Sequence, residues 1–419
     1  MKILVSSIAC NPYGGSENAY GWRACRAIAK DHDLWILTGD FNREYLERAK
    51  AEGLVPPNMR FFYIGKTEPP HENRLIARAQ SWLEYMRFQD RIMPLARELH
   101  AEVQFDRAHL VTYTTWRVAC PLWQLGIPLI WGPISGTEQF PLGFLGILSW
   151  SSRAFEFARI AQGWIGRLSP AIRACARHAA RIPTTHAQAR DWMIDLRGRS
   201  EGVTVFCNVF FAEQYIAELR RDWPATPPTG PLRIFGSGNL EGRKGVALAL
   251  RALAKAKEQG LRFTYLISSR GPELAHLQRL TQQLGLEHEV DLGNPLARPD
   301  FLAALRASDI YLLPSLREGA GQTMMEAMLA GCAPVVADWG GPREIVADGC
   351  GVRVPVTNVD RMVDDICAAL LRLDGNRAQI TALGRAAQER IATHYNEETY
   401  RRDTNENYRL AGLGNESPA

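Results

Sequence analysis

The sequence predicts an α/β fold made of two doubly wound, Rossmann-like domains. In the second half, short apolar segments alternate with amphipathic helical segments, which is typical of a parallel sheet covered on both faces. The first half repeats this alternation less regularly. Between the halves, "RDWPATPPTGP" (221–231) is rich in proline and indicates a linker. We therefore expect a first domain over 1–221, a linker over 222–231 and a second domain over 232–394, with ligands at the carboxyl ends of the strands and in a central cleft that the two domains face.

Each predicted element follows from its own local pattern. In the second half, strands are expected at "LRIFGS" (232–237), "FTYLIS", "EVDLG", "DIYLLP" (309–314) and "APVVA" (333–337), with helices at 244–260, through "ELAHLQRLTQQLG", near 298–307 and around Glu326. In the first half, strands are expected at "KILVSS", "DLWILTG", "MRFFYIG" (59–65), "PLIWG" and "RIPTT", with a helix over 16–30.

Composition excludes several classes of protein. The 419 residues are 46% hydrophobic and 22% charged, and the net charge of +4 is too small to indicate nucleic-acid binding. The eight cysteines form no CxxC pair, which argues against a zinc or redox motif and suits a reducing compartment. The apolar start of the chain is shorter than a signal core, and no stretch reaches the ~18 apolar residues of a membrane span. We expect a cytoplasmic protein, with membrane contact limited to its surface.

Three loops lie where a ligand is expected, directly after predicted strands. In the first, "NPYGGSE" (11–17), Gly14 and Gly15 permit a tight turn ahead of a helix whose first amides could face an anion. Its spacing does not fit the dinucleotide motif G-x-G-x-x-G, and taken alone the loop is a weak indication of a site; an ordinary turn is the alternative interpretation.

The second loop, "GSGNLEGRKG" (236–245), brings Arg243 and Lys244 to the start of a helix. Two cations there oppose the helix dipole, which favours anionic neighbours. A bound polyphosphate would remove this conflict, because both cations and the helix amides could face it. The alternative is a solvated basic turn.

The third loop lies in "REGAGQTMMEAM" (317–328), which carries Glu318 and Glu326. Gly319 and Gly321 let the backbone approach a ligand, and the following helix directs its first amides to the same place. Glu326 sits among apolar residues, so its carboxylate needs a polar partner. A carboxylate can accept hydrogen bonds from two adjacent hydroxyls, as in a ribose.

At this point the sequence resembles a known family. The segment 308–354, with its two glutamates followed by "EAM", "AG", "PVV" and "GGPREIV", is similar to the signature of the retaining, nucleotide-sugar-dependent glycosyltransferases of family 4, which have the GT-B fold. The resemblance extends over nearly the whole chain. It implies a hexosyltransferase-like activity with a UDP- or GDP-sugar as substrate, and neither a cofactor nor a metal.

The resemblance also implies roles for individual residues. Glu318 would hold hydroxyls of the donor sugar, Glu326 the ribose hydroxyls and Lys244 the diphosphate. Backbone groups at Ala320, Gly321, Gln322 and Thr323 would meet sugar and phosphate oxygens. Gly15 would belong to a loop that closes on the phosphate and helps to admit the acceptor, and Glu17 of the same loop is a candidate on the acceptor side. A C-terminal helix over 395–415 would cross back onto the first domain.

The sequence departs from the family pattern at two places. Asn239 stands where an arginine is usual, and Arg243 is the candidate to supply the missing charge. A histidine usual after "GIPLIW" is absent from "GPISGTE" (132–138). His109 falls near another family histidine, where it is either an acceptor-side residue or simply part of a strand.

The motif "DHD" (31–33) fits a metal-binding Asp-x-Asp pattern, but it precedes a strand, away from the expected ligand edge. We therefore expect electrostatic catalysis without a metal.

The acceptor belongs to the first domain, where two segments, 74–91 and 152–181, mix arginines with aromatic residues. Such helices can lie on an anionic membrane, or they can pack their aromatics into the core. We expect the acceptor to be a glycan or a lipid-linked glycan, as in polysaccharide or lipopolysaccharide assembly. A nucleotide-sugar epimerase of related fold and a catalytically silent nucleotide-sugar binding protein remain as alternatives.

Overall fold

The computed structural model describes residues 1–65, 74–220, 223 and 229–413. Contacts divide the chain into two compact units. The first contains Met1–Thr137, Gln162–Asn208 and Glu397–Ala419, and the second contains Glu138–Ala161 and Val209–Asn396. Most of the predicted linker, residues 222 and 224–228, lies outside the described residues.

The elements up to residue 208 are as follows. The strands are β1 (Lys2–Ser7), β2 (Asp33–Gly39), β3 (Met59–Ile64), β4 (Arg107–Thr112), β5 (Leu129–Trp131), β6 (Ile182–Thr184) and β7 (Val203–Val205). The helices are α1 (Ser16–Ala29), α2 (Arg43–Ala51), α3 (Arg74–Val103), α4 (Trp150–Arg167), α5 (Pro170–His178) and α6 (Ala187–Arg197). Short 3-10 helices cover Asp40–Asn42, Pro121–Leu125 and Leu142–Ile147.

The first unit is built on a parallel sheet. Its strand order is β3-β2-β1-β4-β5, and β6 pairs with β7 in parallel beside it. Ile3, Leu4 and Val5 of β1 are all fully buried. Such continuous burial is expected of a strand whose two faces are both covered by helices, and it explains why the apolar runs are so easily recognised in the sequence.

The later elements repeat the pattern. The strands are β8 (Leu232–Ser237), β9 (Phe263–Ser268), β10 (Val290–Leu292), β11 (Ile310–Leu313), β12 (Ala333–Ala337) and β13 (Val352–Val354). The helices are α7 (Glu213–Leu219), α8 (Val246–Glu258), α9 (Leu274–Gln283), α10 (Arg298–Ala307), α11 (Gln322–Leu329), α12 (Gly340–Ile345), α13 (Val359–Gly375), α14 (Arg377–His394) and α15 (Glu397–Leu413), and a 3-10 helix covers Gly242–Lys244. The second sheet has the parallel order β10-β9-β8-β11-β12-β13.

The division between the units lies earlier than the predicted linker. Residues 209–220, assigned from the sequence to the first domain, belong to the second unit. The reason is α7, which buries Ile216 and Leu219 and reaches α11 through Tyr215. Proline content indicates where a chain is irregular, but packing decides which core a helix joins. Residues 138–161 belong to the second unit for the same reason, whereas α15 belongs to the first.

Within the described ranges, no helix combines the length and the apolar character needed to cross a membrane.

Candidate functional site

The candidate site of the second unit lies where three neighbouring strands end. β8, β11 and β12 are adjacent and parallel, so the loops that follow them emerge at the same edge of the sheet. This carboxyl edge is the usual ligand-binding edge of open α/β sheets. The three loops carry the basic pair, the first glutamate and the two glycines of "GGPREIV".

The basic pair lies in the 3-10 helix Gly242–Lys244, directly ahead of α8. Gly245 follows with a φ of 70°, and a Cβ there would lie 2.1 Å from the carbonyl oxygen of Pro314. Only glycine tolerates both the left-handed conformation and this contact. The basic turn is thereby held against the end of β11, where the amide of Leu316 donates a 2.8 Å hydrogen bond to the carbonyl of Arg243.

Glu318 is paired with both cations. Its Oε2 accepts a hydrogen bond from Nζ of Lys244 and another, at 3.2 Å, from Nη1 of Arg243. Burial, the largest influence, acts to raise the pKa of Glu318, but Lys244 and Arg243 together hold it below its usual value. For Lys244, burial dominates and lowers the pKa, assisted by Arg243 and opposed by Glu318. The cluster therefore holds an ionised carboxylate, which can only accept hydrogen bonds.

Arg243 links Glu318 to the departure at Asn239. Nε of Arg243 donates to Glu241 at 2.6 Å, and Nδ2 of Asn239 donates to the other oxygen of Glu241 at 3.0 Å. Burial acts against the charge of Arg243, but Glu318 and Glu241 outweigh it and raise its pKa. Asn239 thus contacts Glu241, and the second cation on Glu318 is Arg243.

Two glycines fix the backbone of Glu318 and Gly319. The amide of Gly341 donates a 2.9 Å hydrogen bond to the carbonyl of Glu318. A Cβ on Gly340, whose φ is 58°, would lie 2.6 Å from that oxygen, and a Cβ on Gly341 would lie 1.8 Å from the carbonyl oxygen of Gly319. "GGPREIV" is therefore a close backbone contact between two loops.

The loop then enters α11. Ala320 is buried, Gly321 caps the helix with a φ of 81°, and Gln322 and Thr323 form the beginning of its first turn. The first amides of a helix have no partner within that helix and can bind a ligand. The predicted backbone-binding residues are thus consecutive at a helix start.

Glu326 is buried on α11, with 3% of its surface exposed, and the structure explains how it is tolerated. Its Oε1 accepts hydrogen bonds from the hydroxyl of Tyr215 at 2.9 Å, Nη2 of Arg298 at 3.1 Å and Nε2 of Gln322 at 3.3 Å. These donors supply the polar partners that a buried carboxylate requires. Tyr215 and Arg298 had no signal in the sequence, because they come from α7 and α10.

Sequence patterns also gave no indication of a role for Arg317 and Glu156. They form a buried ion pair, with 2.8 Å between Nη2 and Oε1, that fastens the residue before Glu318 to α4. Their 161-residue separation leaves no local pattern to recognise. Glu138 is another buried carboxylate, and its charge raises the pKa of both Arg243 and Glu318.

In the first unit, Gly15 and Glu17 lie at the start of α1. Gly15 has an extended conformation, and a Cβ placed on it would meet no described atom within 4 Å. Oε1 of Glu17 accepts hydrogen bonds from the amide of Thr114 at 2.8 Å and from its hydroxyl at 2.7 Å. Glu17 thus fastens α1 to the loop after β4.

His109 belongs to the core. It lies in the middle of β4, where its Nε2 is 2.9 Å from the carbonyl of Gly132 and its Nδ1 is 2.6 Å from the hydroxyl of Tyr408. The carbonyl can only accept, so Nε2 carries the proton and the Tyr408 hydroxyl donates to Nδ1. Burial lowers the pKa of His109 to about 4. With both nitrogens engaged, the structure corrects the acceptor-side interpretation and supports the alternative, a strand residue.

The "DHD" motif has a structural role. Asp31 accepts hydrogen bonds from Arg401 and Asn405, and the ring of His32 contacts Asn405, so the motif anchors α15. Over the described part of the chain, no group of three or more His, Cys, Asp or Glu side chains is arranged to hold a metal ion.

Parts of the chain are similar in sequence to known proteins. Residues 220–387 match the family model described as "Glycosyl transferases group 1". Glycogen synthase of Mycobacterium tuberculosis (strain ATCC 25618 / H37Rv) is 27% identical over 262 residues, which are 61% of this chain and 61% of that protein. The amylovoran biosynthesis glycosyltransferase AmsK of Erwinia amylovora is 30% identical over 174 residues, 40% of this chain and 42% of that protein. Each match thus spans less than two thirds of the relative's own length.

Among solved structures, HepE of Anabaena in complex with UDP is similar to this chain with a TM-score of 0.59 and 17% identity, over 97% of this chain and 99% of that one. At this identity the likeness concerns the fold. It confirms the predicted fold class, an α/β protein with two Rossmann-like domains of the GT-B type.

Proposed function

We propose that this protein is a retaining glycosyltransferase of family 4 that moves a sugar from a nucleotide diphosphate-sugar, with UDP or GDP as the nucleotide, to a hydroxyl of a glycan or lipid-linked glycan. The observation that carries the proposal is the cluster of Lys244, Arg243 and Glu318 at the carboxyl edge of the second sheet. The match of residues 220–387 to the glycosyltransferase family model supports it, as do the names of the relatives.

In this proposal the diphosphate binds beside Lys244, Arg243 and the first amides of α11. Charge develops on the diphosphate as the bond to the sugar breaks, and preorganised cations and amides stabilise such charge without a metal. Glu318, kept ionised by the same cations, accepts hydrogen bonds from hydroxyls of the sugar. The retaining outcome is part of the proposal and rests on the family resemblance.

Glu326 binds the ribose in this proposal. Tyr215, Arg298 and Gln322 all donate to its Oε1 and so hold the carboxylate in one orientation. A carboxylate fixed in this way can accept both hydroxyls of a vicinal diol. HepE, which has a similar fold, was solved with UDP bound. Gly15, where the fold leaves space beside the backbone, is proposed to approach the phosphate.

Thermal stabilisation by nucleotides tests the donor site. UDP, GDP and ADP and their sugar conjugates are added with and without EDTA, and a ligand at one hundred times its Kd adds about 2.7 kcal/mol. We expect one nucleotide to stabilise the protein regardless of EDTA, and Lys244→Ala and Glu326→Ala to lose this response. Lys255→Ala, on the exposed side of the same α8, is the matched control. If neither a nucleotide nor a nucleotide-sugar stabilises the wild type, the proposed donor site is refuted.

Product analysis then tests transfer. With the stabilising nucleotide-sugar and a glycan acceptor, the proposal expects free nucleoside diphosphate and a product with the anomeric configuration of the donor. An altered sugar still attached to the nucleotide would identify an epimerase. Inversion at the anomeric carbon would refute the retaining mechanism.

We further propose that the protein meets its acceptor at an anionic membrane surface through α4. One face of this helix carries Trp150, Phe157, Trp164 and Ile165, which are between 56% and 82% exposed. From residue 139 to residue 190 the chain contains seven arginines and one carboxylate, Glu156, which is buried against Arg317. An apolar face with tryptophans and basic surroundings fits an anionic bilayer.

Co-sedimentation with vesicles tests this surface. Vesicles of phosphatidylcholine with about one third phosphatidylglycerol should bind the wild type more tightly than phosphatidylcholine alone, in a salt-sensitive manner. The double variant Phe157→Ser/Trp164→Ser should lose this binding, whereas Leu54→Ser/Leu413→Ser, also at exposed apolar positions, should keep it. Equal binding by both double variants, or a change of oligomeric state in place of vesicle binding, would refute the membrane proposal.

A further inference from the structure

A cavity of about 480 Å³ lies in the first unit, at the edge of the sheet opposite to the usual ligand-binding edge. Residues 126–128, which line it, precede β5, and residues 179–181 precede β6. Gly202, also in the lining, precedes β7. The cavity therefore faces the amino ends of parallel strands, and it is separate from the donor site, which belongs to the other unit.

The lining is strongly basic. Among the described residues that line it are four arginines, Arg177, Arg181, Arg197 and Arg199, and a single carboxylate, Glu201. Nε of Arg181 donates to Asn407 at 3.3 Å, and Nη2 of Arg199 donates to the carbonyl of Arg177 at 3.3 Å. Both of these partners are neutral groups. Four guanidinium groups with one carboxylate leave an excess of positive charge, which suits an anionic ligand.

Arg197 is the informative member of the group. Only 5% of its surface is exposed, and within the described residues its Nε and Nη1 have no hydrogen-bond partner. Burial, followed by the charges of Arg199 and Arg181, lowers its pKa to about 10, against a smaller opposing effect of Glu201. A buried guanidinium whose neighbouring cations outweigh its one nearby carboxylate, Glu201, is costly to a fold. Such a cost is expected where a ligand supplies the counter-charge.

The rest of the wall is less polar. The ring of Trp123 stacks on that of His178 with 4.5 Å between centroids and an interplanar angle of 7°, and both residues line the cavity. Ile127, Pro128 and Leu410 complete this part. A ligand with an anionic group at the arginines and a less polar body against these side chains matches both parts of the lining.

We propose that this cavity binds an organic phosphate, with the phosphate at Arg197 and Arg199 and the organic part against Trp123. Guanidinium groups bind phosphate oxygens through paired, charge-assisted hydrogen bonds. The cavity volume lies within the roughly 300–1,000 Å³ range of small-molecule sites. The site differs from the proposed donor site, so either proposal can fail without the other.

Calorimetric titration of the full chain with glucose 6-phosphate tests the proposal. We expect binding by the wild type and by Lys244→Ala, which removes the diphosphate-binding lysine of the proposed donor site. Arg197→Gln should weaken binding by about tenfold or more, because charge-assisted hydrogen bonds are lost. Arg361→Gln, at an exposed arginine of the second unit, should leave it unchanged. Binding that Lys244→Ala abolishes and Arg197→Gln retains would assign the phosphate to the donor site and overturn the inference.

Two further measurements separate a ligand role from a structural one. Arg199 is exposed, so Arg199→Gln should keep the Tm of the ligand-free protein and still weaken binding several-fold. Without ligand, Arg197→Gln should raise the Tm, because it removes a buried cation whose charged neighbours are mostly cations. If ligand-free Arg197→Gln has a lower Tm and Arg199→Gln binds the phosphate as the wild type does, Arg197 serves only the fold.

A vesicle titration distinguishes the two sources of a phosphate ester. Vesicles containing phosphatidic acid are compared with phosphatidylcholine vesicles for the wild type and Arg197→Gln. If only the binding to phosphatidic acid depends on Arg197, the ligand is a lipid headgroup. If only the binding of glucose 6-phosphate depends on Arg197, the ligand is a soluble metabolite. If Arg197→Gln changes neither, the cavity is not a phosphate site.

Discussion

Replacing Glu156 by glutamine should destabilise the second unit strongly. Glu156 and Arg317 are 95% and 90% buried at their side chains, with 2.8 Å between Oε1 and Nη2. Glu156→Gln keeps the size of the side chain but leaves the Arg317 guanidinium buried without its anion. Removing one partner of a buried ion pair typically costs about 3–5 kcal/mol. Because Nε of Arg317 already lacks a hydrogen-bond partner within the described residues, nothing there compensates.

We take about 3 kcal/mol, the lower end of that range, because both side chains retain some exposure. For a unit of this size such a loss lowers the Tm by roughly 6–12 °C. Urea unfolding followed by circular dichroism measures the free energy directly. Glu389→Gln, which breaks the exposed pair with Arg220, is the matched control and should change stability by less than about 0.5 kcal/mol.

A double-mutant cycle separates the pair from its surroundings. Arg317→Met alone leaves Glu156 buried without its cation, so it should also be destabilising. The double variant Glu156→Gln/Arg317→Met contains neither buried charge and should be less destabilised than the sum of the single variants by about 1–3 kcal/mol. If Glu156→Gln behaves like Glu389→Gln, or if the two single effects add, the pair does not carry the energy that its burial implies.

Two further predictions follow from the structure. Because burial lowers the pKa of His109 to about 4 from 6.5, the unfolded chain binds a proton that the folded protein does not between these pH values. The free energy of unfolding should therefore fall by roughly 3 kcal/mol as the pH drops from above 6.5 to 4. In pH-dependent unfolding this fall should be weaker in His109→Gln, whereas the surface control His288→Gln should behave like the wild type. Equal pH slopes in the wild type and both variants would contradict the lowered pKa of His109. Gly340→Ala should cost more than Gly349→Ala in urea unfolding, because both have positive φ but only at Gly340 would the Cβ meet a backbone oxygen, 2.6 Å away; equal costs would show that the contact with Glu318 is not tight.

The sequence was most informative about the second unit. Its strands are nearly continuous apolar runs because helices cover both faces of the sheet, and such runs are visible without any tertiary information. Once the strands are located, Lys244 and Glu318 must share the carboxyl edge, since both follow strands of one parallel sheet. The burial of Glu326 also follows from its apolar neighbours on a helix.

What the sequence could not provide are the partners brought together from a distance. Tyr215 and Arg298 orient Glu326 from α7 and α10, and neither has a distinctive local pattern. His109 resembles a site residue in a sequence motif, whereas its two hydrogen bonds in the core depend on Gly132 and on Tyr408 of α15. The boundary between the units was misplaced because α7 packs with elements that follow it. Each difference arises from tertiary packing that local composition does not encode.

The pairing of Lys244 with Glu318 has a consequence for how an anion enters the site. Lys244 is already paired with an anion, because the Glu318 carboxylate neutralises much of its charge. Arrival of a diphosphate would be an exchange, in which Lys244 turns from one anion to another and Glu318 turns from a cation to sugar hydroxyls. An anion with no sugar attached would separate Lys244 from Glu318 without offering Glu318 new hydrogen-bond donors. Discrimination between an intact nucleotide-sugar and its free nucleotide could thus begin with this one ion pair.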